Sequence, residues 1–409
     1  MYRFARPALI LLSLIAATAR AQSPCPPGDA ARTALLPLAL QYKLLGHKIS
    51  TDDFDLDAPA DVSRDLVMLR KTLDVATQAF FRCEAGDDTV PHSLQAKLSA
   101  FLHTKESVRD ETHDREDGIY GANLTVRIES AKGFPNSLFV VLTFGVECGD
   151  DNLLFLYTEE GGHWHQRLHW YSDKYAHPSD AFGDFFLFTA APGPDPTHPL
   201  VAVAHGTPWC TSRFSNFKIA LLQPSTTDSP QKLLSDTYAD YSRGDTTPTL
   251  KPYAEGVALR LDASSRDLEG VFTYIGVFRY RTTSGRLERL PVANNARDFV
   301  DGWLDESWPV AARWSESANA TLQTIHERFH YTTVEKDVPT IHYGPVRACS
   351  SRPNHFQVEM DLSHWVDRSQ KPLPPTYAQV RQNPYSFTML GITDKPDPTC
   401  TGPDIMKKR

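Results

Sequence analysis

The segment with the clearest chemical pattern is His326-Glu327-Arg328-Phe329-His330, which has the H-E-x-x-H spacing of zinc hydrolases. On a helix, His326 and His330 lie one turn apart on the same face, so both imidazoles can reach one metal ion. Glu327 would then be the general base that activates a metal-bound water. The pattern therefore predicts a zinc site at His326 and His330, with Glu327 as the catalytic residue of a peptidase-like hydrolase.

A catalytic zinc ion needs a third protein ligand, and the sequence after the motif does not supply one at the usual spacing. One class of zinc proteases requires glycine and histidine where this chain has Thr333 and Lys336. A second class uses a glutamate on a following helix, but Glu335 is too close and Glu359 lies in a predicted strand. The third ligand therefore stays unassigned.

The same segment also fits an ordinary packing helix. Leu322, Ile325 and Phe329 form an apolar stripe at helical spacing, and the two histidines flank that stripe. Arg328 places a cation inside the motif, next to the position of a divalent metal ion. We favour the packing helix, for which no cofactor is expected, and keep the zinc-dependent hydrolase as the alternative.

A second group of histidines follows a predicted hairpin turn at Gly161-Gly162. On a regular strand, His163, His165 and His169 share one face and could bind a transition metal through their imidazoles. The alternative is the exposed face of an outer strand. The sequence lacks the G-x-S-x-G, Walker A and dinucleotide-binding patterns, which excludes several common hydrolase and nucleotide-binding classes.

The first residues predict export from the cytoplasm. Arg3 and Arg6 precede an uncharged apolar stretch over 8–19, and Ala19-Arg20-Ala21 is a small-x-small cleavage pattern. The apolar stretch is shorter than the ~20 residues that span a bilayer. We therefore predict a signal peptide over 1–21, no membrane span in the mature chain, and a secreted or periplasmic location.

The charge balance limits the class of partner. Loss of the three arginines in the signal peptide changes the formal net charge from −8 to −11. A negative chain is unsuited to binding nucleic acid through its phosphates. The predicted partner is an unidentified extracellular or periplasmic ligand.

All six cysteines lie in the predicted mature chain, and an even number in an exported protein indicates disulfides. Six cysteines allow fifteen pairings, so connectivity does not follow from the count. We favour the pairs that join segments which belong together: Cys25–Cys83, Cys148–Cys210 and Cys349–Cys400.

Region 22–110 is predicted to form a small helical domain. Apolar residues at spacings of three and four predict helices from Asp29 to just before Gly46, over 59–83 and over 92–104. From residue 118 the apolar period changes to two, and short apolar runs separated by turn residues predict antiparallel strands over 118–294.

The strands are predicted to form a repeat. Phe155, Phe217 and Phe278 are spaced 62 and 61 residues apart, which indicates three or four copies of a four-stranded unit. Such units build β-propellers, and a β-sandwich is the alternative. The predicted fold class is mainly β, with a helical N-terminal domain and repeated four-stranded antiparallel units.

A tryptophan-rich helical insert is predicted over 295–331, followed by a C-terminal β unit and tail over 332–409. Trp303, Trp308 and Trp314 fall within twelve residues and are expected to pack against the β units. Together these features predict an exported, disulfide-stabilised binding or structural protein without catalytic activity, more readily than an enzyme.

Overall fold

The computed structural model describes the following residues: 29–45, 60–103, 120–146, 149–171, 185–193, 198–206, 214–225, 231–242, 246–267, 270–282, 288–330, 341–361 and 374–407. The predicted signal peptide and Cys25, Cys148 and Cys210 lie outside these ranges. Within them, no helix combines the length and the apolar character that crossing a membrane requires.

Three helices begin the described chain: α1 (Asp29–Leu45), α2 (Ala60–Cys83) and α3 (Pro91–Leu102). Helix α2 has Asp61 in its first turn and Arg82 in its last, charges that complement the helix dipole. Pro91 begins α3, where the missing N–H costs no hydrogen bond. The apolar stripe of α2 is fully buried: Leu66, Leu69, Leu73, Ala76 and Phe80.

Sheet 1 is an antiparallel meander in chain order: β1 (Ala122–Ser130), β2 (Ser137–Val146), β3 (Gly149–Glu160) and β4 (His163–Tyr171). Gly161 and Gly162 both have positive φ angles, which the tight β3–β4 hairpin requires and which glycine adopts without strain. One face of sheet 1 packs against α1–α3 in a single hydrophobic core, so the helices and this sheet bury one another.

Sheets 2 and 3 repeat the meander and are joined at one residue pair, Tyr241 with Ala263. Sheet 2 contains β5 (Phe186–Ala191), β6 (Leu200–Gly206), β7 (Phe214–Gln223) and β8 (Gln231–Ser242). Sheet 3 contains β9 (Thr249–Tyr253), β10 (Gly256–Asp267), β11 (Gly270–Arg281) and β12 (Glu288–Arg289).

Three short helices and a fourth sheet complete the described part of the chain. The helices are α4 (Ala296–Asp305), α5 (Trp308–Arg313) and α6 (Ala320–Phe329). Sheet 4 contains β13 (His342–Ala348), β14 (His355–Asp361), β15 (Thr376–Gln382) and β16 (Phe387–Thr393), again in chain order. The helices and sheet 4 share one core around Trp303.

The first three sheets stack face to face. One core lies between sheets 1 and 2, and another lies between sheets 2 and 3. Because both faces of the inner strands are covered, β2 and β6 are almost continuously apolar rather than alternating. The prediction of a mainly β chain with four-stranded antiparallel units is confirmed, while the described strands do not close into a barrel or a propeller ring.

The three phenylalanines of the predicted repeat lie in the third strand of successive sheets: Phe155 in β3, Phe217 in β7 and Phe278 in β11. Their side chains do not face the same way. Phe155 packs towards the helices, whereas Phe217 and Phe278 meet between sheets 2 and 3 with ring centroids 4.7 Å apart. The units therefore match in strand order but not residue by residue, and the repeat stays a prediction.

The predicted Cys349–Cys400 disulfide is confirmed, with an S–S distance of 2.00 Å. It ties the end of β13 to the segment that follows β16. Cys83 is also disulfide-bonded, but its predicted partner Cys25 lies outside the described residues, as do both members of the predicted Cys148–Cys210 pair.

Candidate functional site

The H-E-x-x-H motif forms the C-terminal half of α6. The helix begins after Asn319, whose side chain accepts a hydrogen bond from the Leu322 N–H and so caps the first turn. Leu322, His326 and Phe329 face the core, and His330 follows the last helical residue. His326, the first histidine of the motif, is therefore part of the buried stripe of α6.

Both histidines bind the end of another helix. His326 Nε2–H donates to the Trp303 carbonyl at 3.1 Å, and His330 Nδ1–H donates to the Leu304 carbonyl at 3.0 Å. These carbonyls lie in the last turn of α4, where no backbone N–H of the helix is available to them. The two rings lie almost parallel, with centroids 5.2 Å apart, so they jointly cap α4.

His326 is fully buried, and this burial lowers its pKa. The nearby His330 lowers the pKa further, while the backbone groups of Trp303 and Glu306 act in the opposite direction. The neutral ring is therefore favoured, which is the form that donates through Nε2 alone. Its Nδ1 makes no hydrogen bond within the described part of the chain.

Glu327 lies on the other face of α6. Its side chain is exposed, and its Oε1 accepts a hydrogen bond from Gln323 Nε2 at 2.6 Å, one turn earlier on the same surface. Among the described residues, no group of three or more His, Cys, Asp or Glu side chains could hold a metal ion. The structure thus brings His326 and His330 together but places Glu327 away from them.

The second histidine group does not share a face, contrary to the prediction. A β-bulge at Arg167 interrupts the pairing, because Leu156 pairs with Leu168 while Tyr157 pairs with Gln166. The extra residue reverses the alternation of side chains beyond it. His169 therefore turns towards α2, with Nδ1 3.4 Å from Asp74 Oδ2, while His163 and His165 lie on the opposite face.

A cleft between sheet 3, α5 and sheet 4 is the candidate binding site. It has a volume of about 170 Å³, well above the ~10–15 Å³ that admits one water. Its walls come from separate elements: Glu255 between β9 and β10, Arg281 at the end of β11, Glu288 in β12, Arg313 and Trp314 at the end of α5, and 383–388 in the β15–β16 turn and the start of β16.

The charged residues of the cleft are only partly paired with one another. Arg281 donates through one terminal nitrogen to Glu288 Oε2 at 2.5 Å, and this hydrogen bond raises the pKa of the arginine. The Arg281 Nε–H is buried and has no acceptor within the described residues. Neither Glu255 nor Arg313 forms an ion pair with any of the described residues.

Aromatic side chains form the rest of the cleft wall. Trp314 is held by a hydrogen bond from its Nε1–H to the Arg289 carbonyl at 3.1 Å. The half-exposed Tyr385 ring packs against Tyr253 with a centroid distance of 5.3 Å. Five elements contribute the residues of this cleft, so these residues form no local pattern from which the sequence could predict it.

Asp301 on α4 is a partly buried carboxyl group outside the residues that line the cleft. Burial raises its pKa to about 6, aided by the nearby Asp305 and Asp298 charges and opposed by a 2.8 Å hydrogen bond from the Tyr343 hydroxyl. The folded protein therefore holds this proton at pH values where the unfolded chain, with its pKa of 3.8, releases it. The contribution of Asp301 to stability is therefore greatest below pH ~4 and is lost as the pH rises through ~6.

Asp301→Asn is expected to increase the free energy of unfolding above pH 6 by roughly 1–3 kcal/mol, because the neutral amide avoids the buried charge. At pH 4 the variant and the parent are expected to be equally stable. Urea unfolding at several pH values measures this, with Asp394→Asn on the exposed surface as the control. Equal stabilisation at pH 4 and pH 8 would contradict the assignment.

Comparison with known proteins gives no relative. No protein-family model, no curated protein and no solved structure matches this chain.

Proposed function

We propose that this chain is an exported, non-catalytic binding protein that holds a small ligand in the cleft between sheet 3, α5 and sheet 4. The observation that carries the proposal is the cleft itself, with partly paired charges and aromatic walls. Small-molecule sites are concave and carry a few convergent polar groups, as this cleft does, although its volume lies below their usual ~300–1,000 Å³. The signal-peptide pattern over 1–21 and the Cys349–Cys400 disulfide support an oxidising, secreted or periplasmic location.

The face-to-face stacking of sheets 1, 2 and 3 supports a propeller-like scaffold for this protein rather than a two-sheet sandwich. Adjacent blades of a propeller are four-stranded antiparallel sheets. In such a scaffold the turns lie at the ends of the strands. Two of these turns, β9–β10 and β15–β16, contribute residues to the cleft. The proposed role of the sheets is to hold these turns in place.

The proposal is tested by saturation-transfer NMR with a mixture of small polar and aromatic fragments. Ser386 lines the cleft, so Ser386→Trp is expected to fill it and abolish the transfer. Ala100→Trp, which adds the same side chain to an exposed position on α3, is expected to leave binding unchanged. Fragments that bind Ser386→Trp as well as the parent would overturn the assignment of the site.

A zinc-dependent hydrolase is the second candidate, because the His326 Nδ1 lone pair is unused within the described residues and the His330 ring lies beside it. Against it, both rings already donate to carbonyls of α4. The two functions predict different metal contents for the purified protein.

After equilibration with zinc and removal of the excess, we expect well under one equivalent of bound zinc per chain by elemental analysis. His330→Ala is the informative variant, since this histidine is only half-buried. Zinc bound at about one equivalent, lost in folded His330→Ala, together with peptide hydrolysis that Glu327→Gln abolishes, would replace the binding proposal with the enzymatic one.

A further inference from the structure

The cleft contains two opposite charges that do not neutralise each other. Glu255 is half-buried in the β9–β10 turn, and Arg313 is exposed at the end of α5. Arg281 is already bonded to Glu288, and no ion pair joins Glu255 to Arg313 or to any other described residue. The Glu255 charge acts on Arg281 only through space, where it helps to raise the pKa of the arginine. Among the described residues, the cleft therefore offers a carboxylate and a guanidinium on different walls that make no ion pair.

We propose that the ligand is a small zwitterion of the α-amino-acid type, an inference that rests on the binding function proposed above. Its carboxylate binds Arg313, whose planar fork of donors matches a carboxylate in two parallel hydrogen bonds. Its ammonium group binds Glu255. A ligand with one charge can form an ion pair with only one of these two residues, and the other has no ionic partner in the complex.

The aromatic wall selects the side chain of the zwitterion. Tyr385 is 40 % exposed, and its ring packs against Tyr253 at the mouth of the cleft. Trp314 and Phe387 add apolar surface deeper in the wall. Aromatic rings pack favourably against apolar and aromatic side chains. An amino acid with such a side chain therefore fits this wall.

The size and exposure of the cleft set the strength of binding. A volume of about 170 Å³ is below the ~300–1,000 Å³ of sites for drug-sized ligands, so the cleft limits its ligand to about amino-acid size. Because Arg313 is exposed, its attraction for a carboxylate is screened by salt. Binding is expected to weaken as ionic strength rises, more for the zwitterion than for an uncharged fragment.

Three probes separate the two charges: L-phenylalanine, N-acetyl-L-phenylalanine without the ammonium group, and L-phenylalaninamide without the carboxylate. Titration calorimetry or saturation-transfer NMR is expected to show L-phenylalanine binding roughly tenfold tighter than either derivative, the effect of one charge-assisted hydrogen bond. Arg313→Gln is expected to remove the preference over the amide, and Glu255→Gln the preference over the acetylated form. Lys251→Gln, at an exposed position of β9, controls for net charge.

The outcomes of this experiment are distinct from those that test the binding function. Equal affinities for the three probes, in a protein whose cleft still binds fragments sensitive to Ser386→Trp, would overturn the zwitterion alone. Preferences that survive in both Arg313→Gln and Glu255→Gln would also overturn it, because the charges would then be recognised elsewhere. Loss of all fragment binding at the cleft would overturn the proposed function as well.

Discussion

Replacing Arg70 with methionine is expected to lower the free energy of unfolding by about 3–5 kcal/mol. Arg70 on α2 donates through Nε to Asp151 Oδ2 on β3 at 2.6 Å, and the two side chains are only 2 % and 0 % exposed. Without the guanidinium, Asp151 remains as a buried charge between the helices and sheet 1. The loss of its arginine partner by this buried carboxylate, rather than the lost packing, dominates the expected cost.

A second substitution separates charge from packing. Arg70→Met combined with Asp151→Asn is expected to recover most of the lost stability, because the amide needs no counter-charge and its oxygen can still accept from the Asn152 N–H. The control is Arg381→Met, which breaks a half-exposed pair with Glu316 and is expected to cost under ~1 kcal/mol. Urea unfolding followed by circular dichroism measures all three, and equal losses for Arg70→Met and Arg381→Met would contradict the argument.

The sequence predicts the positions of the helices well because their stripes are long and regular. The spacing of Leu66, Leu69 and Leu73 indicates α2, and the structure places the helix at Ala60–Cys83. It does not predict that Arg70 is buried. An arginine within a helical pattern is usually exposed. Its burial here depends on partners distant in sequence: Asp151 on β3, 81 residues later, and the ring of Tyr171 on β4.

The candidate sites show the same limit. The spacing of His326 and His330 correctly places both rings on one side of α6. Their hydrogen-bond partners, however, are backbone carbonyls of α4, and no residue type in the sequence indicates a backbone acceptor. The alternation that grouped His163 with His169 fails because a bulge at Arg167 shifts the phase by one residue. Tertiary partners and strand irregularities, not local propensity, decide the chemistry of these histidines.

Trp303→Ala is the second substitution with a large expected effect, a loss of about 3–5 kcal/mol. Trp303 is fully buried at the centre of the core that joins α4–α6 to sheet 4. Its Nε1–H donates to the Ala311 carbonyl at 2.9 Å and to Ser315 Oγ at 3.1 Å. Its ring also meets the His326 ring edge to face at 4.7 Å, so the cavity would extend to the histidine that caps α4.

Trp164 provides a matched comparison for the hydrogen bonds of Trp303. Its indole is also buried, at 8 % exposure, but its Nε1–H has no acceptor among the described residues. Both tryptophan-to-phenylalanine changes remove similar volume, but only Trp303→Phe removes hydrogen bonds, while Trp164→Phe removes an unsatisfied donor. Trp303→Phe should therefore cost at least ~1 kcal/mol more than Trp164→Phe in chemical denaturation. Equal costs would show that shape alone anchors Trp303, and the indole hydrogen bonds would then add nothing to the stability of the helices that position the cleft.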